Sequence, residues 1–567
     1  MDINMLRNKP FYLDDEQLRW VQATFEQMTT NEKIGQLFFM VGYKQDEPFL
    51  RRLTEELGVG GLMCRSMEKE SVLATVSTLQ RYTKIPLLIA ANLEAGGQGI
   101  TSDGTKIGSN LAIAATDETE LAYRLGEVCA MEGKSVGANY AFAPVVDVDY
   151  NFRNPITNTR TFGSDPERVK RMGAAYMQAV QERGMAVSIK HFPGDGVDER
   201  DQHLVTSVNT MSPEEWDESF GDIYRHLINE GAKTVMVGHI SLPEYSKKLN
   251  PALQDEQILP ASLAPELLNG LLREQLGFNG LIITDATTMA GMNIPMPRNE
   301  LVPKAIEHGC DMFLFTKNLD EDILFMKQGL ETGMLSAQRL DEAVLRILGL
   351  KASLALHKIN NIPSLDHANA VLKSEAHLTI ARQVADRSIT LVKEEAGVLP
   401  LTSERYKHIL LYDIESEANA LGYHKSKGLA ASFTPLLERE GFSVTRFEPS
   451  GVYEGHQGSF DDMKERYDLI IYLCNLATKS NQTTVRIEWI NPMGINVPIY
   501  MQSIPTIFIS TENPYHLLDV PRVKTYINTY GTNDYTLPLL VQKLMGKSKF
   551  VGKSPVDPFC GKWDTRL

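Results

Sequence analysis

Residues 186–209, AVSIKHFPGDGVDERDQHLVTSVN, decide how the rest of the chain is read. Ala186–Ile189 is a short apolar run of the kind that forms a buried strand. Lys190 and His191 end it, and Pro193, Gly194 and Gly196 then break regular structure. A charged loop follows, Asp198-Glu199-Arg200-Asp201-Gln202-His203. Asp201 and His203 lie two apart, so in an extended loop they share a side and can pair, the carboxylate orienting the imidazole and raising its basicity. The plainer reading is a solvated loop with an incidental histidine, and the loop alone does not decide between them.

Outward from this strand the same pattern recurs. Apolar runs stand at Lys33–Val41, Gly60–Cys64, Ile85–Ala91, Tyr140–Val148, Ala186–His191, Thr234–His239, Leu281–Asp285 and Met312–Thr316. Amphipathic stretches such as Pro166–Arg183, Pro213–Gly231 and Pro265–Leu276 lie between most of them, and Asp14–Met28 predicts a leading helix, followed by a helical turn capped by Thr30 or Asn31. Continuous apolar strands separated by helices predict a parallel sheet covered on its faces. About eight units in roughly 330 residues predict a (β/α)8 barrel of the TIM type, with an open doubly wound sheet as the alternative.

A barrel gathers its site at the C-terminal ends of its strands. Asn92 and Glu94 follow the third run, Asp147 and Asp149 the fourth, with Arg160 in the loop beyond. Lys190 and His191 end the fifth, His239 the sixth and Asp285 the seventh. Five consecutive strands ending in polar or ionisable groups point to one functional face. Asp285, after Leu281-Ile282-Ile283-Thr284 and before the small Ala286, suits a nucleophile or charge stabiliser; a helix N-cap is its ordinary role. Arg160, Lys190, His191 and His239 read as ligand-binding groups for a polyhydroxylated or anionic molecule, or else as salt-bridge partners of a barrel-end carboxylate. Asp147 fits that structural part. A carboxylate on one strand and an Asp–His pair on a loop suggest double displacement at an acetal carbon. Asp285 would be the nucleophile, with His203, oriented by Asp201, as acid and base. An unperturbed imidazole, with a pKa near ~6.5, can take that part without burial.

The 567 residues predict two or three domains, and 43 % apolar residues suffice for large cores. A net charge of −15 without a Lys/Arg cluster argues against nucleic acid or an anionic membrane as partner. No apolar run approaches the ~20 residues that span a bilayer. Five cysteines without a C-x-x-C, and an acidic N-terminus without an apolar core segment, predict a cytoplasmic protein. No phosphate-binding glycine motif and no metal-ligand spacing occur, so the expected chemistry uses neither cofactor nor metal. The expected partner is a small carbohydrate; oligomeric state is not legible.

Lys190-His191-Phe192-Pro193-Gly194 followed by Asp201-Gln202-His203 resembles a signature of glycoside hydrolase family 3, in its bacterial β-N-acetylglucosaminidase branch. Ile282–Ala286 is similar to the family's nucleophile segment, with Asp285 at the nucleophile position. Asn158–Gly163 resembles an element whose arginine, here Arg160, binds sugar, and Met28–Leu37 resembles the N-terminal helix entry. The resemblance covers nearly the whole chain. It implies that Asn92 stands where relatives place a sugar-binding aspartate, with Glu94 as a substitute carboxylate. Asp195 stands where a histidine is usual. It also implies a second, smaller α/β sandwich domain, entered at Ser388–Lys393 and Leu399-Pro400-Leu401, that scaffolds or helps cover the site. The strand candidates there are His408–Asp413, Ser443–Phe447, Leu469–Leu473, Thr506–Ser510 and Thr525–Thr529. The domains are then 1–352 (barrel), 353–375 (linker) and 376–567 (sandwich).

The activity implied is a retaining exo-β-N-acetylglucosaminidase. The alternatives are a β-N-acetylglucosaminide phosphorylase, since an imidazole base does not repel an incoming phosphate as a carboxylate would, a β-glucosidase of the same family, and a non-catalytic sugar-binding protein. A glucosidase would draw its acid from the second domain, where Glu488 and Glu512 are the candidates; the joint presence of Asp285, Asp201 and His203 argues against the last.

Overall fold

The computed structural model describes residues 3–42, 45–358, 362–415, 428–448, 459–478, 480–481, 483, 486–490 and 494–567. Each of the eight apolar runs contributes a strand: β1 Phe38–Val41, β2 Gly61–Met63, β3 Leu88–Ala91, β4 Tyr140–Ala141, β5 Ala186–Phe192, β6 Thr234–Val237, β7 Leu281–Thr284 and β8 Phe313–Leu314. They pair in parallel in chain order, for example Ala90 against Tyr140, Tyr140 against Ala186 and Thr234 against Leu281. β8 returns to β1 with Phe38 against Phe313, and a bridge between Ile283 and Met312 joins β7 to β8. The sheet therefore closes into the (β/α)8 barrel. Side chains from non-adjacent strands fill its interior: Phe39 and Tyr140 meet with ring centroids 6.0 Å apart, Phe39 and Phe142 at 5.3 Å. Tyr140 Oη lies 2.5 Å from Thr234 Oγ1.

One expected strand begins later than its apolar run. Lys33–Gln36 belongs to a helix, Thr30–Gln36, and β1 takes only the four residues after Leu37. The cap is Thr29 rather than Thr30 or Asn31. Its hydroxyl accepts from Glu32 N–H and the Glu32 carboxylate accepts from Thr29 N–H, a capping box that fixes the start of the helix. Gly35 lets this helix press on the backbone of Leu57, where a Cβ would lie 1.9 Å from the carbonyl oxygen. The leading helix Asp15–Gln27 carries its own capping box, Asp14 with Gln17. Pro213–Gly231 divides into the helices Pro213–Glu218 and Phe220–Asn229, and Glu266–Gln275 is wound as a π-helix.

The chain forms two compact units, and they are not contiguous in sequence. The first comprises residues 1–106, 122–157 and 166–378; the second comprises 107–121, 158–165 and 379–567. The expected boundaries at 352 and 376 are linear, whereas the second unit takes two short segments from the first third of the chain. Residues 359–361 of the expected linker lie outside the described residues.

In the second unit all five strand candidates and the entry segment form one sheet. Its strands are β9 Thr390–Lys393, β10 His408–Glu415, β11 Ser443–Arg446, β12 Leu469–Asn475, β13 Thr506–Ser510 and β14 Thr525–Asn528. The spatial order is β9-β14-β13-β12-β10-β11, parallel except for β9. Alternation along the strands gives it two buried faces. Ile409, Leu411, Ile471 and Ile507 pack on one side with the helices Leu429–Arg439 and Thr536–Leu544. Tyr412, Tyr472, Phe508 and Tyr526 form a stacked row on the other, with Tyr412 and Tyr472 4.4 Å apart and nearly coplanar.

Candidate active site

The barrel strands deliver the expected groups to their C-terminal ends. Asp285 follows β7, with its N–H donating to Val237 O of β6 at 2.8 Å. Its Oδ1 accepts from Ala286 N–H at 2.7 Å, and its Oδ2 lies 3.9 Å from His191 Nε2. No helix begins at Asp285; the next one, Ala290–Asn293, starts after Met289, so the N-cap role does not apply. Burial pushes the Asp285 carboxyl upward, but the imidazoles of His191, His239 and His203 and the Ala286 N–H outweigh it and hold the group below the usual carboxylate range. A half-buried carboxylate is thereby kept ionised among three histidines.

His191 is anchored beside Asp285. Its Nδ1 lies 2.7 Å from Asp147 Oδ2, and its backbone N–H donates to Asp147 Oδ1 at 3.0 Å. Asp147 is buried, and the charge and hydrogen bond of His191 with the N–H groups of Asp195 and His191 more than offset the burial, so its carboxyl also stays low. Asp147 thus has a structural part, that of orienting His191. Lys190 Nζ reaches Glu94 Oε1 at 2.7 Å and Asn92 Oδ1 at 3.4 Å. Glu94 therefore neutralises the lysine beside an exposed Asn92.

The Asp201–His203 loop pairs as its spacing predicts. One oxygen, Asp201 Oδ1, accepts from both His203 N–H at 2.8 Å and Nδ1–H at 2.7 Å. The Asp201 side chain is fully buried while that of His203 keeps 28 % of its surface exposed. With the proton fixed on Nδ1, Nε2 is the nitrogen that exchanges one.

The loop before this pair is held by packing. Gly194 and Gly196 adopt φ of +120° and +108°, where a Cβ at Gly194 would strike the Phe220 ring and one at Gly196 the Val148 carbonyl. Trp216 Nε1 donates to Pro193 O at 2.7 Å, and Trp216 packs edge-on against Phe192 and Tyr245. The two helices after the loop thus pin its Pro193 end.

His239 lies beside Asp285, and Arg160 falls in the second unit. His239 is fully buried and spends both ring nitrogens on the protein: Nε2–H donates to Ala286 O at 3.0 Å, and Nδ1 lies 2.8 Å from Ser262 Oγ. Burial lowers its pKa against the pull of Asp285, which suits a neutral ring. His239 therefore supports the backbone behind Asp285 rather than presenting a donor to a ligand. Arg160 falls in the second unit, where its carbonyl accepts from Asn110 Nδ2 at 2.7 Å. Glu488 and Glu512 also belong to that unit.

Sequence reading did not single out Gln202, Ser262 or Asn154. Gln202 sits inside the quoted stretch; Ser262 and Asn154 reach the site only through the fold, and no spacing signals them. Among the described residues no group of three or more His, Cys, Asp or Glu side chains is arranged to hold a metal ion, and no helix is long and apolar enough to cross a membrane.

The family described as "Glycosyl hydrolase family 3 N terminal domain" matches residues 29–350. A Cellulomonas fimi protein named beta-N-acetylglucosaminidase/beta-glucosidase is 54 % identical over 98 % of this chain and 99 % of its own. A solved structure titled "Beta-glucoside phosphorylase BglX bound to 2FGlc" is 44 % identical, with a TM-score of 0.94 over 99 % of this chain and 100 % of that one. A family 3 beta-N-acetylglucosaminidase from Paenibacillus sp. str. FPU-7 shares the fold, with a TM-score of 0.78 at 22 % identity over 94 % of this chain and 100 % of that one. With a family match over more than half its length and that 54 % identity along nearly all of two chains, this chain belongs to glycosyl hydrolase family 3.

Proposed function

We propose that the chain is a retaining exo-β-N-acetylglucosaminidase that releases terminal N-acetylglucosamine from small glycosides, with Asp285 as nucleophile and His203 as acid and base. The observation that carries this reading is the 2.7 Å Asp201–His203 contact in the same unit as a carboxylate held ionised. Asp285 Oδ2 attacks the anomeric carbon while the bond to the leaving oxygen breaks and His203 Nε2 gives that oxygen a proton. The imidazolium formed beforehand is stabilised by Asp201, which keeps the second proton on Nδ1. Water then loses a proton to Nε2 and attacks the anomeric carbon, and Asp285 departs as a carboxylate. His191, held by Asp147, faces Asp285 at 3.9 Å. Asn92, Glu94 and Lys190 supply hydroxyl-binding groups, and Arg160 is proposed as a further sugar ligand on the family resemblance. A cytoplasmic location agrees with five buried cysteines, none in a disulfide.

A second reading has its own support. The similar structure at TM-score 0.94 is titled a phosphorylase, and an imidazole base admits a phosphate dianion where a carboxylate would repel it. Phosphate then replaces water in the second step, and the product is the sugar 1-phosphate. Activity on glucosides is a third outcome, in keeping with the dual name of the Cellulomonas fimi relative. One experiment separates the three. Turnover of p-nitrophenyl β-N-acetylglucosaminide and of the matching glucoside is followed with and without phosphate, and the sugar product identified. Free N-acetylglucosamine at a phosphate-independent rate supports the hydrolase. A phosphate-dependent rate giving sugar 1-phosphate replaces it with the phosphorylase, and preference for the glucoside overturns the substrate assignment.

A further inference from the structure

Gln202 lies between the two members of the Asp201–His203 pair, yet its side chain turns the other way and is 1 % exposed. Its Oε1 accepts the backbone N–H of His239 at 2.7 Å. That donor fixes the orientation of the amide, so Nε2 must face Asp195, and it does, 3.3 Å from Asp195 Oδ2. The Gln202 carbonyl accepts from Gly291 N–H at 3.1 Å, and the next carbonyl, of His203, accepts from Ala290 N–H at 3.1 Å. The loop is thus fastened from one side by the segment that follows the nucleophile and from the other by Asp195.

Asp195 is equally enclosed. Its Oδ1 accepts from Asn154 Nδ2 at 2.9 Å and from Gly196 N–H at 2.7 Å. Its own N–H donates to Asp147 Oδ1 at 2.8 Å, the oxygen that also accepts from His191 N–H. All three groups that face the Asp195 carboxylate are donors. A protonated carboxyl would put an O–H against one of them and lose that hydrogen bond, so the arrangement needs an acceptor on both oxygens. A residue with two donor-facing oxygens is replaceable by neither asparagine nor a hydrophobe without leaving a donor unmet.

We infer that Asp195 and Gln202 are a positioning pair that holds the Asp201–His203 loop in the register required for proton transfer. The inference rests on the proposed role of His203 as acid and base. The arrangement sets Asp195 beside a second buried carboxylate at a cost. Burial and the nearby Asp147 push its carboxyl up to about 7, against the pull of His191, Gly196 N–H and Asn154. Around neutral pH the protein therefore spends part of its population with Asp195 protonated, and in that form the Gln202 amide loses its acceptor. The loop is fastened best above about pH 7. This is a coupling between pH and the geometry of the acid that does not require His203 itself to titrate. The titratable groups facing Asp195 are Asp147 and His191; its remaining neighbours, Asn154, Gly196 and Gln202, do not titrate.

The test compares Asp195→Asn, Gln202→Leu and His203→Ala on two aryl glycosides, one with a poor and one with an activated leaving group, across pH 5 to 9. A positioning role affects only the step in which the leaving oxygen needs a proton. Asp195→Asn and Gln202→Leu are expected to lose roughly 10–100-fold in kcat on the poor leaving group, with little change in KM, and only a few-fold on the activated one. Asp195→Asn should also lose the limb of the pH profile that rises through neutrality, whereas Gln202→Leu should flatten it. Should Asp195→Asn not fold, Gln202→Leu carries the test alone, since it removes no charge. Leaving-group-dependent losses in His203→Ala but equal losses for both substrates in the Asp195 and Gln202 variants would overturn the pair and leave the acid assignment standing. Equal losses for both substrates in His203→Ala would overturn the acid assignment and the pair with it.

Discussion

At the scale of single residues, the site divides charge between two carboxylates by what surrounds them. Asp285, among three imidazoles and a backbone N–H, is held below its ordinary range, so its carboxylate is ionised at neutral pH. Asp201 acts through His203: one oxygen takes both the backbone and the ring N–H. Asp201→Asn offers an amide there, which can turn a donor toward Nδ1 and force the proton onto Nε2. In that tautomer the ring can neither accept at Nε2 nor be stabilised as an imidazolium. The expected loss is roughly 10²–10⁴ in kcat for poor leaving groups, with a displaced pH–rate profile. An unchanged profile, measured over pH 5 to 9, would show that the two residues are not coupled. The Asp201–His203 pair was legible because a spacing of two in a loop can bring its members together. The part played by His239 was not. The partners of His239 are Ser262, 23 positions on, and Ala286, 47 positions on, and a strand-end histidine looks the same in sequence whether it faces a ligand or a serine.

At the scale of elements, closure of the barrel depends on one carboxylate. Asp311 immediately precedes the Met312 bridge and is fully buried. Its Oδ2 accepts Ile282 N–H of β7 at 2.9 Å and lies 2.6 Å from Arg273 Nη2. Its Oδ1 lies 2.6 Å from Arg339 Nη2 and 3.5 Å from Arg346 Nη1. Burial raises its pKa, but the three guanidinium groups pull it below the ordinary value, so its contribution is present at neutral pH and lost as pH falls through that depressed value. Asp311→Asn leaves guanidinium charge uncompensated in a buried place and is expected to cost about 3–5 kcal/mol, measured by chemical denaturation at pH 7. A cost below about 1 kcal/mol would place the Arg cluster in contact with solvent. The strands were readable as apolar runs because both faces of a parallel sheet are covered. The joint between Lys33 and Val41 was misread because its polar half is helical, and only the Thr29–Glu32 capping box marks the change.

At the scale of the whole molecule, two features govern stability. Lys351 is fully buried, with Nζ 2.6 Å from Gln36 Oε1, and burial lowers it to about 7. The unfolded chain keeps that proton up to about 10.4, so from about 7 upward the unfolded state binds more protons and stability rises with pH. Below about 7 the folded state bears a buried charge. Lys351→Met should therefore raise the thermal midpoint more at pH 6 than at pH 9, by calorimetry; an equal shift at both would mean that the lysine carries no charge penalty. The second feature is the interleaving of the units. Ser109 Oγ donates to Tyr530 O at 2.5 Å, Asn533 Nδ2 to Ile107 O at 2.9 Å and Lys553 N–H to Ala115 O at 2.9 Å. A fragment ending at residue 352 carries the first segment without those partners. It is expected to be aggregation-prone, and a soluble, cooperatively melting fragment in sedimentation and circular dichroism would contradict this.

The same stitching sets a schedule on the ribosome. Leu111 and Ile113 are buried in a unit most of which, residues 379–567, is encoded more than 250 residues downstream, and Tyr530 and Lys553, the partners of Ser109 and Ala115, come later still. At typical elongation speeds of about 5–20 residues per second, those side chains wait roughly 20–90 s for their partners. Throughout that interval the nascent chain displays an apolar helix, Asn110–Ala115, that belongs to a body not yet translated. The enzyme should therefore be a client of the chaperones that shield nascent chains, with pauses late in translation prolonging that dependence.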